Sequence, residues 1–247
     1  MTHNSQPLTH RERVRQTTRE EIKARAREQM TVSGAVNISL RAIARDMGMT
    51  SPALFHYYPS YEALITELIV DAYNASADAM EAALKHLPET AYRQRLYALD
   101  HAYRNWALAN RQDYLLINGT PIPGYHAPPE ATQSASNRTF YNFMRVLESA
   151  YHSGNLTLPE DYSAPLPALR ALQNNWHQTL GIEVSVPVMH TALVGWGLLR
   201  GLIEMELYGG APAVTEPRRV ASSTSVRRFS ARTSSSVTER PRYSYRR

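Results

Sequence analysis

Thr50 and Ser51 place two small hydroxyls side by side before Pro52, in the stretch Gly48 to Ser60, "GMTSPALFHYYPS". Ala53 adds a bare methyl, and His56 and Tyr57 follow with ring groups able to hydrogen-bond. The chemistry these types suit is recognition rather than bond making. Hydroxyls and ring donors pair with phosphate oxygens and base edges, and an alanine methyl meets a thymine methyl. Leu54 and Tyr58, four apart, fall on the opposite, inward side of a helix.

Bond-making chemistry has weaker footing. The nine histidines stand at 3, 10, 56, 86, 101, 126, 152, 177 and 190, with no HxxxH, HExxH or carboxylate partner at ligand spacing. No metal and no cofactor is expected. Asp100 and His101 are adjacent, and sequence neighbours point to different faces of a helix. GxSxG, GxGxxG and GxxxxGK[ST] are all missing, so hydrolase, dinucleotide and phosphate-loop readings lack their anchors. With no cysteine, neither a disulfide framework nor a thiolate site is available. The chain reads as a non-enzyme.

The charge is unevenly spread. Residues 1–60 carry nine Lys/Arg against five Asp/Glu, 61–212 nine against fifteen, and 213–247 nine arginines against two glutamates. A polyanion-facing block, an acidic globular block and a basic tail follow from that. The N-terminus has no apolar run and so no secretory signal. Val184 to Ile203, the most apolar region, is interrupted by Ser185, Pro187, His190, Thr191 and Arg200, which favours a buried helix over a membrane span. A soluble, cytoplasmic protein is expected.

The elements that must hold the hydroxyls in place are helices. Val14, Ile22, Ala26 and Met30 fall largely on one face of a first helix starting near Arg11. Ser39 suits an N-cap, Leu40, Ile43, Ala44 and Met47 form a short amphipathic helix, and Gly48 ends it where a positive φ costs little. Thr50 is the next N-cap, with Pro52 in the first turn, and the helix stops by Pro59. Ser60 opens a long helix with Leu64, Ile65, Leu68, Ile69 and Ala72 on one stripe. Further helices are marked by Leu96 to Trp106, Tyr114 to Ile117, Phe140 to Leu147, Leu169 to Leu180 and Val188 to Tyr208. Pro/Gly-rich loops cover 118–130 and 154–167. The predicted fold is all-α, about nine helices, with no strand and no internal repeat. A flexible arm (1–10), a three-helix helix-turn-helix domain (11–60), a helical regulatory and dimerisation domain (61–212) and a disordered Ser/Arg-rich tail (213–247) are expected.

Two short helices joined by Gly48-Met49 make a helix-turn-helix, in which the second helix enters the DNA major groove. Residues 39–64, "SLRAIARDMGMTSPALFHYYPSYEAL", closely resemble the DNA-binding signature of the TetR/AcrR family of transcriptional regulators. "NWALANRQDYLLINGTPIPGYHAP" (105–128) and "HTALVGWGLLRGLIEMELYGG" (190–210) are similar to the WHG type of C-terminal regulatory domain. The match covers roughly 11–210. The resemblance implies a homodimer on a palindromic operator, usually a repressor released by a small-molecule effector. By position it assigns DNA contacts to Thr50, Ser51, Ala53, His56 and Tyr57 in the recognition helix, and to Ser39 and Arg41 before it. Two positions depart: the phosphate-binding lysine that usually opens the fourth helix is Tyr61 here, and the usual histidine is Tyr57. A tyrosine hydroxyl still donates to phosphate but brings no charge. Losing one phosphate neutralisation flattens the salt dependence by about 0.9 log units per decade.

In the second domain, Tyr103, Trp106, Tyr114, Phe140, Phe143, Met144 and Trp176 are candidates either to line an effector pocket or to form plain core. The resemblance places the dimer interface on the last two helices, about 166–182 and 187–208. Leu193, Gly197, Leu199 and Ile203 are its candidate residues, Gly197 and Gly201 being small enough for close helix packing. The arginines of the tail would add sequence-independent DNA affinity, if that segment has a role. The competing function is a helical ligand-binding or scaffold protein whose reading head no longer binds DNA.

Overall fold

The chain begins its first helix on a reciprocal cap. Thr9 Oγ1 accepts from Glu12 N, and Glu12 Oε2 accepts from Thr9 N at 2.8 Å. The structure, a computed structural model, describes residues 9–158, 167–180 and 183–210. The tail from 213, most of the arm before 10 and most of the second expected loop lie outside the described residues. α1 (His10–Ser33) is followed by a 3-10 turn (Ala35–Asn37), then α2 (Leu40–Asp46), α3 (Ser51–Phe55) and α4 (Tyr61–Leu84). The rest comprises α5 (Tyr92–Ala109), α6 (Arg111–Asn118), α7 (Pro129–His152), α8 (Pro167–Leu180) and α9 (Val186–Leu207). The fold is all-helical, with nine α-helices and no strand among the described residues.

Two cores meet along α4. Its first half puts Leu64, Ile65, Leu68 and Ile69 into an aliphatic cluster with Ile22, Ala26 and Met30 of α1, Ile43 of α2 and Leu54 of α3. From Ala72 onward the same stripe joins α5, α6, α7 and α9 in a cluster built on Tyr103, Trp106, Tyr114 and Phe143. A third cluster gathers Phe140, Met144 and Leu147 of α7 with Val188, Met189 and Ala192 of α9. Trp196 packs against both of these. Polar links fasten α4 to α7: Ser76 and Thr139 share a buried hydrogen bond of 2.9 Å, and Arg138 reaches Asp78 and Glu81, each at 2.6 Å.

α9 departs from its sequence reading. Val186–Leu207 is long and apolar enough to cross a membrane, with a mean hydropathy of 1.3 over its best window. The expected burial holds for one face only, where Val188, Met189, Ala192 and Ile203 are inside. The other face presents Val194, Leu198, Met205 and Tyr208 to solvent, Leu198 being 66% exposed.

A candidate DNA-reading head

The three short elements of the head are set by local chemistry. Gln29 Oε1 of α1 accepts the Ser39 amide at 2.9 Å, and Ser39 Oγ accepts from Ala42 N to cap α2. Gly48 takes φ 66°, and Met49 N returns to Ala44 O at 2.8 Å, which closes the turn. Thr50 Oγ1 accepts from Ala53 N at 3.4 Å and caps α3. That use occupies a lone pair and leaves the Thr50 hydroxyl proton free to donate outward.

α3 is shorter than the interval between its prolines suggested. After Phe55 the chain tightens, Tyr57 N reaching back to Leu54 O at 2.8 Å. Leu54 and Tyr58 are buried, while Thr50, Ala53 and His56 are exposed and Ser51 and Tyr57 half-buried. Arg41 and Ser39 are exposed on the adjoining helix start. The structure thus brings seven of the eight candidates to the accessible surface of α2 and α3. The eighth, Tyr61, differs. Its hydroxyl donates to Ala35 O at 2.8 Å, fastening the 3-10 turn to α4, and a proton given to Ala35 is not available to a phosphate. Burial holds this phenol above its ordinary pKa, so it stays neutral.

One exposed group escaped the sequence reading. Phe55 is 40% exposed beside Ala53 and His56. It stands four residues after Ser51 and so shares its outward face; its apolar type had masked that signal.

The head is tied to the rest through charges. Arg19 donates to Tyr57 O at 2.9 Å, pairs with Glu67, and lies 4.4 Å from the centroid of the Tyr58 ring. Lys23 reaches Asp71 at 2.6 Å and Glu20 at 2.8 Å. Burial works against the ammonium charge, but these carboxylates outweigh it and hold Lys23 above its ordinary pKa. Arg27 presents Nε to both oxygens of Asp113 in α6, at 2.9 and 3.0 Å. Beyond α6, Thr66 Oγ1 gives its proton to Glu62 O and accepts from Tyr125 Oη at 2.9 Å, joining the following loop to α4.

Next to that bond lies a cavity of about 270 Å³ between α4, α6, the 119–127 loop and α7. Ile69, Tyr73, Leu116, Tyr125, Thr132 and Ser136 are among its walls, and no wall residue is charged. Gly119 starts the loop; a Cβ there would sit 2.4 Å from Leu115 O, so only glycine fits the close approach. The seven aromatic and methionine candidates are elsewhere. Tyr103, Trp106, Tyr114, Phe140, Phe143 and Met144 are buried core, and Trp176 packs edge-on against Phe140 at 5.4 Å. None of them lines this cavity. Among the dimer candidates Ile203 is fully buried in its own chain, and Leu199 and Leu193 pack half-buried against the core. That removes Ile203 from any surface a partner would meet. Gly197 does lie on the open face of α9.

Comparison with known proteins agrees with this architecture. A family model described as "Tetracyclin repressor-like, C-terminal domain" matches residues 96–227, just over half of the chain. The "HTH-type transcriptional regulator Rv1816" of Mycobacterium tuberculosis is 33% identical over 209 residues, covering 82% of this chain and 88% of that protein. A counterpart in Mycobacterium bovis, "HTH-type transcriptional regulator Mb1846", matches to the same extent. The crystal structure of SCO4313, described as a regulatory protein, is 36% identical with a TM-score of 0.66 over 81% of this chain and 89% of that one. A Rhodococcus protein of unknown function shares the fold at 23% identity and a TM-score of 0.59, covering 79% of this chain and 87% of its own. With a capped, solvent-facing helix-turn-helix on one side and this regulatory-domain match on the other, the chain belongs to the TetR family of DNA-binding transcriptional regulators.

Proposed function

We propose that the protein is a cytoplasmic homodimeric repressor that binds a palindromic operator and is released from it by a small, uncharged effector. The observation that carries the ligand-responsive part is the position of the uncharged cavity, pressed against Ile69 and Tyr73 of α4 where the two cores meet. Its walls mix aliphatic carbon with the hydroxyls of Tyr73, Tyr125, Thr132 and Ser136. Such walls suit a compact molecule with one or two hydrogen-bonding groups. A molecule seated there competes with the Tyr125–Thr66 bond and changes how the loop bears on α4. Two heads must stand about 34–36 Å apart to enter successive major grooves. An effector that binds better to a different spacing therefore lowers operator affinity by population shift.

The homodimer part is supported by the open face of α9. Val194, Leu198, Gly201, Met205 and Tyr208 recur at helical spacing as one apolar stripe with small residues beside it. Analytical ultracentrifugation of the full chain with Leu198→Asp tests it: the wild type should be a dimer, and the variant a monomer with greatly weakened DNA binding. A monomeric wild type would end the proposal. The scaffold alternative draws on Tyr61, whose proton is spent inside the protein; failure to enrich any duplex from a random-sequence pool would favour it.

A further inference from the structure

The basic residues of α1 fall into two groups. From residue 19 onward they are engaged: Arg19 with Glu67, Lys23 with Asp71, Arg25 with Glu28 and Arg27 with Asp113. Before residue 19, Arg11, Arg13 and Arg15 are exposed and form no ion pair among the described residues. The first two turns of α1 run beyond the core, since its first buried residue is Ile22. The acid in this stretch, Glu12, folds back onto Thr9, and those hydrogen bonds hold its carboxyl below its ordinary pKa.

Arg11 and Arg15 are one turn apart and share a face. With His10, Val14, His56 and Tyr57 they line an open cleft of about 460 Å³. Arg19 is the next residue on that stripe, and its bond to Tyr57 O holds the end of the recognition segment against α1. The cleft therefore has a fixed wall, two guanidinium groups along the other wall, and the exposed end of α3 beside it. Guanidinium forks match phosphate oxygens in pairs.

We propose that this cleft is a phosphate clamp, in which Arg11 and Arg15 grip the DNA sugar-phosphate backbone beside the groove that α3 enters. The proposal rests on the DNA-binding reading and adds to it a contact from outside the helix-turn-helix. The clamp carries no sequence information; it sets register and supplies salt-dependent affinity.

The test uses the full chain and an operator selected from a random duplex pool, with affinity read by fluorescence anisotropy across a salt series. Arg11→Gln/Arg15→Gln should weaken binding to the operator and to random duplex alike. The slope of log K against log salt should become shallower by about 1.8 per protomer, two contacts at about 0.9 each. Arg11→Lys/Arg15→Lys, which keeps the charge, should restore most of the slope, and both variants should melt with the wild type. A wild-type slope in the Gln variant overturns the clamp and leaves DNA reading intact. A changed set of selected sequences overturns it too, because Arg11 and Arg15 would then be reading bases. If the wild type selects no duplex, both the clamp and the DNA-binding reading fail.

Discussion

The two halves of α4 live in different environments. Near the head its neighbours are mostly aliphatic, and it is tied by part-buried ion pairs, Glu67 to Arg19 and Asp71 to Lys23, and by the neutral Thr66–Tyr125 hydrogen bond. Beyond Ala72 its neighbours are largely aromatic, the Ser76–Thr139 link is fully enclosed, and the ion pairs from Arg138 to Asp78 and Glu81 lie nearer the solvent. Part-buried ion pairs act at a few points and cost most when one partner is removed, whereas a close-packed aromatic cluster resists rearrangement throughout its volume. One helix thus joins a half packed on aromatic rings to a head held at a few charged and polar points.

The largest expected effect breaks the firm side. Tyr103 is 1% exposed and in contact with Trp106 and Trp196, so Tyr103→Ala should cost about 3–5 kcal/mol in chemical denaturation followed by tryptophan fluorescence. All three tryptophans, 106, 176 and 196, lie on that side, so the signal reports it selectively. Leu54→Ala in the head should cost about 2–5 kcal/mol, seen as loss of DNA binding with a smaller change in that fluorescence transition. Equal responses from the two variants would erase the contrast.

Asp113→Asn cuts one charged tie between the halves. Asp113 is largely buried and accepts one bifurcated hydrogen bond from Arg27 Nε. A loss of about 1.5–3 kcal/mol in thermal or urea unfolding is expected, with operator affinity altered because the head is loosened from α6. Unchanged affinity would show that α6 does not steer the head.

Asp100 sharpens the regulatory side by pH. Burial pushes its pKa up to about 6 from 3.8, with no cation paired to it among the described residues. A raised carboxyl pKa means the folded chain holds the proton more tightly. The group therefore costs nothing below pH 3.8, costs progressively more as pH rises towards 6, and imposes a constant penalty above it. Allowing for its partial exposure, Asp100→Asn should stabilise the protein by about 1–2 kcal/mol at pH 7 and leave it unchanged at pH 3.5. A pH-independent difference would count against this.

The smallest effect is expected at the loop. Tyr125→Phe removes the bond to Thr66 and should cost about 0.5–1.5 kcal/mol. If the cavity governs the head, operator affinity should shift several-fold while the melting temperature falls by only about 1–6 °C.

How far the sequence led depends on the range of the forces involved. The caps at Ser39, Thr50 and Ser60 and the turn at Gly48 are local events, and each stands where the residue types place it. The inward Leu54 and Tyr58 follow from helical spacing alone. The cavity does not. Periodicity tells which side of a helix faces in, not whether the inward space is filled, so Tyr103 and Phe143 read equally well as lining or as core. The open face of α9 was half legible: Gly197 lies on it, but Ile203 sits six residues further on, well round the helix from the stripe of Leu198, Gly201 and Met205. The tie from Arg27 to Asp113 spans 86 residues and leaves no local trace. Phe55 shows the opposite failure, where residue type outweighed position.

The most direct measurement uses the absence of native cysteine. Ala53→Cys and, as a distant exposed control, Tyr97→Cys each give a single thiol for maleimide labelling with and without the selected operator. Position 53 should be strongly protected by DNA while position 97 labels at its free rate. Equal labelling of position 53 in the presence and absence of bound operator would contradict the assignment of α3 as the reading element.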